Sequence, residues 1–305
     1  MLQWGMDAID DLRMLIERHA GGGVKRTILP GVSIASAIEP TETMSGMSEP
    51  SLAVVAQGIK ETSVNGRPYR YRAGEFLVVS VDLPVTGHIV SASADEPFSV
   101  FSMSLRPAMI AELLLESNTV RDRPPAFSGL AVSAAAPDLL DPIARLLRLL
   151  DRPDDIPVLW PAYEREIVWR LLTGEQGGIV RQIGLADGRL AQISRSIRWI
   201  RQHSTETIRI DDLAAMAGLS VSSFHRHFRA VTSMTPIQFH KQIRLQEART
   251  LLMTRPHDVA EIGYLVGYDS PSQFSREYRR AFGEPPGRDA ARLASAEDAA
   301  SRLTA

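Results

Sequence analysis

Two stretches of this chain, offset by 49 to 50 residues, repeat a set of side chains suited to reading a nucleic-acid duplex. Ala214-x-x-x-Gly218-Leu219 corresponds to Gly263-x-x-x-Gly267-Tyr268. Beyond the turn the second copy gains one residue. Ser220, Phe224, Arg226, Phe228, Arg229 and Pro236 then correspond to Ser270, Phe274, Arg276, Tyr278, Arg279 and Pro286. A small residue, a glycine four positions later and a capped helix are what two steeply crossing helices require: the small side chain permits close approach and the glycine takes the left-handed turn. Phe224 and Phe228 lie one helical turn apart and must face a core, as must Phe274 and Tyr278. That leaves Ser222, Ser223, His225, Arg226 and Arg229 pointing outward in the first copy, and Ser272, Gln273, Ser275, Arg276 and Arg279 in the second. Arg, Gln, Ser and His are the side chains that hydrogen-bond base edges and phosphates in a major groove.

Other chemistries find little support. Cysteine is absent, which removes disulfides, thiolate nucleophiles and cysteine-held metals. Gly21-Gly-Gly-Val-Lys-Arg-Thr27 lacks the glycine directly before lysine and the Ser/Thr directly after it that a phosphate loop uses. No His-Glu-x-x-His, nucleophile-elbow serine or paired-histidine motif around His88 occurs. His225 and His227 are two apart, so they leave a helix on different sides, and no metal or other cofactor is expected. A cupin-type enzyme is the remote alternative.

The elements that must position these residues follow from periodicity. Leu190, Ile193, Ile197 and Ile200 repeat at helical spacing. Asp211 or Asp212 can cap a short helix, Leu213 to Ala217, that stops at Gly218. Ser220 caps the next, running to about Thr232, and a long helix spans Pro236 to Thr254 with proline at its start. Residues 189–294 are therefore expected to be all-helical, followed by a tail over 295–305. Upstream, Gly174 to Gly188 reads as a linker. Leucine-rich helical faces occupy Pro107 to Leu172: Met109, Ile110, Leu113 and Leu114; Leu139, Leu140, Ile143, Leu146, Leu147 and Leu150; and Ile167, Val168, Leu171 and Leu172. The middle set suits either a dimer seam or packing within one chain. From Thr27 to Ser104, five or six short strands are expected, with Asn65-Gly66 turning a hairpin. The fold class is α+β in two domains. Residues 1–173 are expected to form a small barrel or jelly roll with following helices, and residues 189–294 an all-α double helix-turn-helix.

Composition agrees with that division. The 305 residues are 44% hydrophobic and 23% charged, ordinary for a folded globular chain. Residues 187–305 carry 17 Lys and Arg against 13 Asp and Glu, while residues 1–186 carry 17 against 23. A basic part joined to an acidic one suits a polyanion-binding module on a differently employed partner. Asp7, Asp10, Asp11, Arg13, Glu17 and Arg18 stand where a signal peptide would need apolar residues. No stretch is long and apolar enough for a membrane span. A cytoplasmic location is expected.

Residues from about 190 to 290 resemble the DNA-binding domain of the AraC/XylS family of bacterial transcriptional regulators. The resemblance rests on the run from Asp258 to Pro286, together with Leu219-Ser220, Phe224, Arg226-His-Phe228, Thr235-Pro236, Arg244-Leu245 and Ala248. It implies that both second helices enter successive major-groove segments of double-stranded DNA. One departure follows Pro286, where the family's usual aromatic-Arg pair gives way to Gly287-Arg-Asp-Ala290. Glu49 to Gly58, Tyr71-x-Ala-Gly-Glu75 and Ser80 to Gly87 are similar to the N-terminal domain of one AraC subfamily. That likeness implies a cupin-like barrel that binds a small effector, an aldehyde or related small organic molecule, and a homodimer that contacts RNA polymerase if it activates. Relatives often carry cysteine where this chain has Ala53, so thiol sensing there is excluded. Tyr69, Tyr71, Phe76, His88, Phe98, Phe101 and Met103 are candidates to line the effector cavity, plain barrel core being the alternative for each. The rival binding-module reading is an effector-independent DNA binder whose first domain only dimerises or contacts a protein.

Overall fold

The computed structural model describes residues 2–21, 25–116, 128–185, 188–254 and 258–292. They form two compact units, Met1–Ser194 with Ala230–Ser233, and Arg195–Arg229 with Met234–Ala305.

The first unit begins with helix α1 (Leu2–Ala20), whose Leu12, Leu15, Ile16 and Ala20 are buried at helical spacing. Among the described residues ten strands follow: β1 (Arg26–Leu29), β2 (Val32–Ala37), β3 (Met44–Ser48), β4 (Ser51–Gln57), β5 (Ile59–Val64), β6 (Arg67–Arg72), β7 (Glu75–Val79), β8 (Leu83–Ser91), β9 (Phe98–Ser104) and, after α2 (Pro107–Glu116), β10 (Leu130–Ala134). They build two antiparallel sheets, of order β1-β2-β9-β4-β7-β10 and β3-β8-β5-β6. The expectation of five or six strands between Thr27 and Ser104 falls short. Met44–Ser48 lacks a polar–apolar alternation, and Leu83-Pro84 begins β8 instead of breaking it. The hairpin turns as expected, with Asn65 and Gly66 at φ 50° and 76°. Pro68 is tolerated because β6 is an edge strand.

Helices α3 (Pro137–Arg148), α4 (Ile156–Thr173) and α5 (Gly177–Gly184) complete the unit. Leu139, Leu140, Ile143, Leu146 and Leu147 are all buried inside one chain, where α3 packs against α1 and α4. The expected choice between a dimer seam and packing within one chain is thus resolved toward packing. Glu164 of α4 is 4% exposed and accepts two hydrogen bonds from Arg106, at 2.9 and 2.6 Å. The glycine-rich stretch read as a linker is mostly helix. Gly177, Gly178, Ile179, Val180 and Ile183 are buried in α5, and a Cβ on Gly184 would lie 2.5 Å from the Ile110 side chain of α2. Glycine there serves close packing, not flexibility.

In the second unit come α6 (Arg189–Gln202, whose first turns belong to the first unit), α7 (Ile210–Ala217), α8 (Val221–Thr232, whose residues from Ala230 on belong to the first unit), α9 (Pro236–Thr254), α10 (Val259–Leu265) and α11 (Pro271–Phe282). Residues 286–292 are helical as well. Thr235 and Gln238 open α9 with a reciprocal capping box, at 2.9 and 3.2 Å. The core is aromatic: Phe224 packs on Phe228, and Phe228 on Phe239, with ring centroids 5.4 and 5.5 Å apart. The second copy gathers Phe274, Tyr278, Tyr268, Ile262 and Val266 against Leu245, Ala248 and Leu252 of α9.

Candidate nucleic-acid interface

Each repeat folds as two helices joined by a left-handed glycine. Gly218 has φ 67°, and the N–H groups of Gly218 and Leu219 donate to the carbonyls of Ala215 and Ala214. The Ser220 hydroxyl then accepts from the Ser223 N–H at 3.4 Å, capping α8. Asp211 and Asp212 do not cap α7. Arg209 occupies that position without a side-chain bond, and both carboxylates fall in the first turn, where negative charge suits the helix dipole. In the second copy Gly267 has φ 87°, and Ser270 precedes Pro271 without a side-chain capping bond. A Cβ on Gly263 would stand 3.1–3.3 Å from the Phe274 side chain, so the small residue gives the close approach that the spacing implied.

Phe224, Phe228, Phe274 and Tyr278 are fully buried. On α8, Ser222, Arg226 and Arg229 are exposed, with Ser223 and His225 partly so. On α11, Ser272, Gln273, Arg276 and Arg279 are exposed and Ser275 is partly so. Arg226 donates weakly to Ser223 Oγ at 3.4 Å, and Gln273 to Glu277 Oε1 at the same distance. Arg280 and Arg288 add exposed cations that the repeat alone did not flag. Each second helix thus presents a basic polar stripe opposite its aromatic one.

What holds the two repeats was not visible in the sequence. Arg244 of α9 donates to four backbone carbonyls: Ser204 (2.6 Å), Thr205 (3.1 Å) and Glu206 (3.0 Å) ahead of α7, and Gly267 (2.7 Å) in the turn of the second repeat. One guanidinium therefore bridges both helix pairs, using the multiple donors that lysine lacks. His240 Nε2 donates to the same Ser204 carbonyl at 2.6 Å. Burial, then the Arg244 charge, hold its pKa below the ordinary histidine value. Glu277 of α11 accepts from Lys241 (2.8 Å) and from the Tyr268 hydroxyl (2.9 Å). Burial alone would raise the Glu277 pKa, but these bonds hold it below the usual carboxylate range. The segment after Pro286 is anchored by Asp289, whose partners are Arg249, Tyr278 and Arg292.

The candidates for an effector cavity do not converge. Directly opposed residues share a sheet face, so register assigns each one. Tyr71 is buried beside exposed Arg70 and Arg72, which puts Tyr71 and Tyr69 on the inward face of the four-stranded sheet. Burial pushes the Tyr71 hydroxyl up to about 12, and it shares a 3.2 Å hydrogen bond with Thr62. His88 pairs with Glu61, which faces Arg70, so it lies on the outward face. Phe76 opposes Ser133 and Val54, and Val54 opposes Phe101. Ser133 hydrogen-bonds Gln176 at the start of α5, so Phe76 and Phe101 look toward the helices. Met103 shares that face, whereas Phe98 lies on the other. Among the described residues no cluster of three or more His, Cys, Asp or Glu could hold a metal, and no helix is long and apolar enough to cross a membrane.

Residues 28–179 match the model of the AraC-type transcriptional regulator N-terminus, and residues 213–292 match that of a helix-turn-helix domain. The chain belongs to the AraC-type transcriptional regulators. Among curated members of the family, the HTH-type transcriptional activator RhaS of Salmonella schwarzengrund is 29% identical over 160 residues, covering 50% of this chain and 56% of RhaS. The chain thus spans about half the length of the curated relatives it matches. The fold is shared with ToxT from Vibrio cholerae strain SCE256. An unsaturated-fatty-acid-bound structure aligns with TM-score 0.55 and 12% identity, over 85% of this AraC-type chain and 94% of ToxT. An apo structure aligns with TM-score 0.57 and 11% identity, over 88% and 100%.

Proposed function

We propose that this protein is a sequence-specific DNA-binding transcriptional regulator controlled by a small molecule held in its N-terminal β-domain. The observation that carries the reading is the duplication. Two glycine-turned helix pairs share one linker helix, and each leaves a basic, polar second-helix face exposed. Ser222, Ser223, His225, Arg226 and Arg229 of α8, and Ser272, Gln273, Ser275, Arg276 and Arg279 of α11, are the proposed DNA contacts. Phosphate contacts supply most of the affinity and its salt dependence, and base contacts supply selectivity. The relatives are regulators, and the reading assigns no enzymatic activity to this chain. The N-terminal match and the fold shared with a fatty-acid-bound ToxT support a ligand-binding first domain. A cytoplasmic homodimer, which contacts RNA polymerase when it activates, completes the proposal.

Gel-shift titration of the full chain against DNA recovered with the purified protein tests it. Saturable binding that survives excess competitor DNA is expected, and binding no tighter than to random DNA would refute the reading. Operator affinity that no small molecule alters would favour the effector-independent alternative.

A further inference from the structure

Gln273 is the only amide side chain among the ten proposed DNA contacts, and Glu277 follows it by one helical turn of α11. Gln273 Nε2 donates to Glu277 Oε1 at 3.4 Å. The bond is long, but its acceptor is fixed. The same oxygen takes the Lys241 ammonium at 2.8 Å, and Oε2 takes the Tyr268 hydroxyl at 2.9 Å. A carboxylate only accepts hydrogen bonds, so Gln273 turns its nitrogen toward Glu277 and never its oxygen. The two N–H bonds of an amide diverge. With one engaged by Glu277, the exposed end of Gln273 presents the other beside its oxygen. Adenine matches that pair in a major groove, N7 accepting and N6 donating, whereas guanine offers two acceptors and would set oxygen against oxygen. The first repeat shows that the fold does not require this acid. There His227 and Leu219 correspond to Glu277 and Tyr268, and Ser223 to Gln273. Phe224 and Phe228 are nevertheless buried as fully as Phe274 and Tyr278.

We propose that Glu277 is a positioning residue for base selection: held by Lys241 and Tyr268, it orients the Gln273 amide so that α11 selects adenine over guanine at one position of the operator. The proposal rests on the reading of Gln273 as a DNA contact. It adds which base that contact selects and which residue makes it selective.

The test is competitive binding of the full chain to a randomised duplex library, with the bound and unbound fractions sequenced. The parent protein should prefer adenine over guanine at one position by about tenfold, and Gln273→Ala should abolish that preference. Glu277→Gln, whose own amide can donate as well as accept, should lose most of it while selection at other positions persists. Lys241→Met removes a bond to Glu277 but none to Gln273, so it should lower the thermal midpoint and keep the preference. Weaker binding to all sequences alike in Glu277→Gln, with the adenine preference intact, would overturn the proposal and leave Glu277 a structural clamp. Equal loss of the preference in Lys241→Met would overturn it too, because displacement of α11 as a whole would then explain both variants. Selection unchanged by Gln273→Ala would remove Gln273 from the contacts and the proposal with it, while the regulator reading stands. No enrichment by the parent protein would refute both.

Discussion

Arg249 on the linker helix and Asp289 beyond the second repeat form a two-pronged ion pair, Nε to Oδ2 at 2.8 Å and Nη2 to Oδ1 at 3.1 Å, with side chains only 11% and 1% exposed. The Tyr278 hydroxyl donates to the same carboxylate at 2.8 Å, and Arg292 at 2.7 Å. The guanidinium also lies 4.8 Å from the centre of the Phe282 ring. The pair therefore ties the end of the domain to the helix on which both repeats are built.

Asp289→Asn should destabilise the second unit by about 3 kcal/mol, because removing one partner leaves Arg249 buried and uncompensated. Urea unfolding of the full chain, followed by far-UV circular dichroism, reads this out. An unchanged midpoint would show the pair to be dispensable. Burial alone would raise the Asp289 pKa, but its hydrogen bonds from Arg249, Tyr278 and Arg292 hold it below the usual value. Its stabilisation is thus complete above about pH 4 and lost as pH falls through the depressed folded value.

The two turn glycines should respond differently to alanine. Both have positive φ, which costs a non-glycine residue about 1–2 kcal/mol. A Cβ at Gly218 meets open space, whereas one at Gly267 would lie 2.7 Å from the Thr205 carbonyl and 2.9 Å from the Arg244 guanidinium. Gly267→Ala should therefore lower the thermal midpoint clearly more than Gly218→Ala. Equal shifts would contradict the packing at Gly267.

Arg244→Met removes donors from carbonyls in both repeats. A stability loss of about 2 kcal/mol is expected, moderated because the guanidinium is only half-buried. Operator affinity should fall beyond what reduced folding explains, since the helix pairs lose their shared brace. Binding at wild-type strength, measured well below the unfolding temperature, would show that the brace does not set their alignment.

His240 links folding to pH near neutrality. Its folded pKa lies below the ordinary value, so the unfolded chain takes up the proton first as pH falls. Its contribution is full above about pH 6.5 and declines below that, down to the folded pKa. Thermal midpoints between pH 8 and 5.5 should show a decline that His240→Gln reduces. Parallel profiles for the two proteins would exclude this linkage.

Arg276→Ala should cost about 1–3 kcal/mol of operator affinity if the guanidinium pairs with a guanine, and should relax selectivity at one position. Loss of a phosphate contact alone would weaken all sequences alike and reduce the salt slope by about one. Equal affinity of mutant and parent at fixed salt would remove Arg276 from the interface.

The sequence by itself determined the parts of this protein governed by local rules. Helical periodicity placed α8 and α9 at their observed bounds, Asn65-Gly66 dictated a hairpin, and a small residue four before glycine dictated the tight helix pair, because those features depend on neighbours along the chain. The amphipathic spacing of Leu12, Leu15 and Ile16 likewise encodes α1, its charged residues occupying the opposite face. Only the tertiary structure decided what depends on register or on distant partners. A strand's side chains alternate faces, so whether Phe101 or Tyr71 looks inward is set by which residue stands opposite, and aromatic content does not reveal it. Arg244, Asp289 and the helix within Gly177–Gly184 likewise acquire their roles from groups brought together by folding. The energy of a buried ion pair or a close glycine contact exists only once both sides are in place.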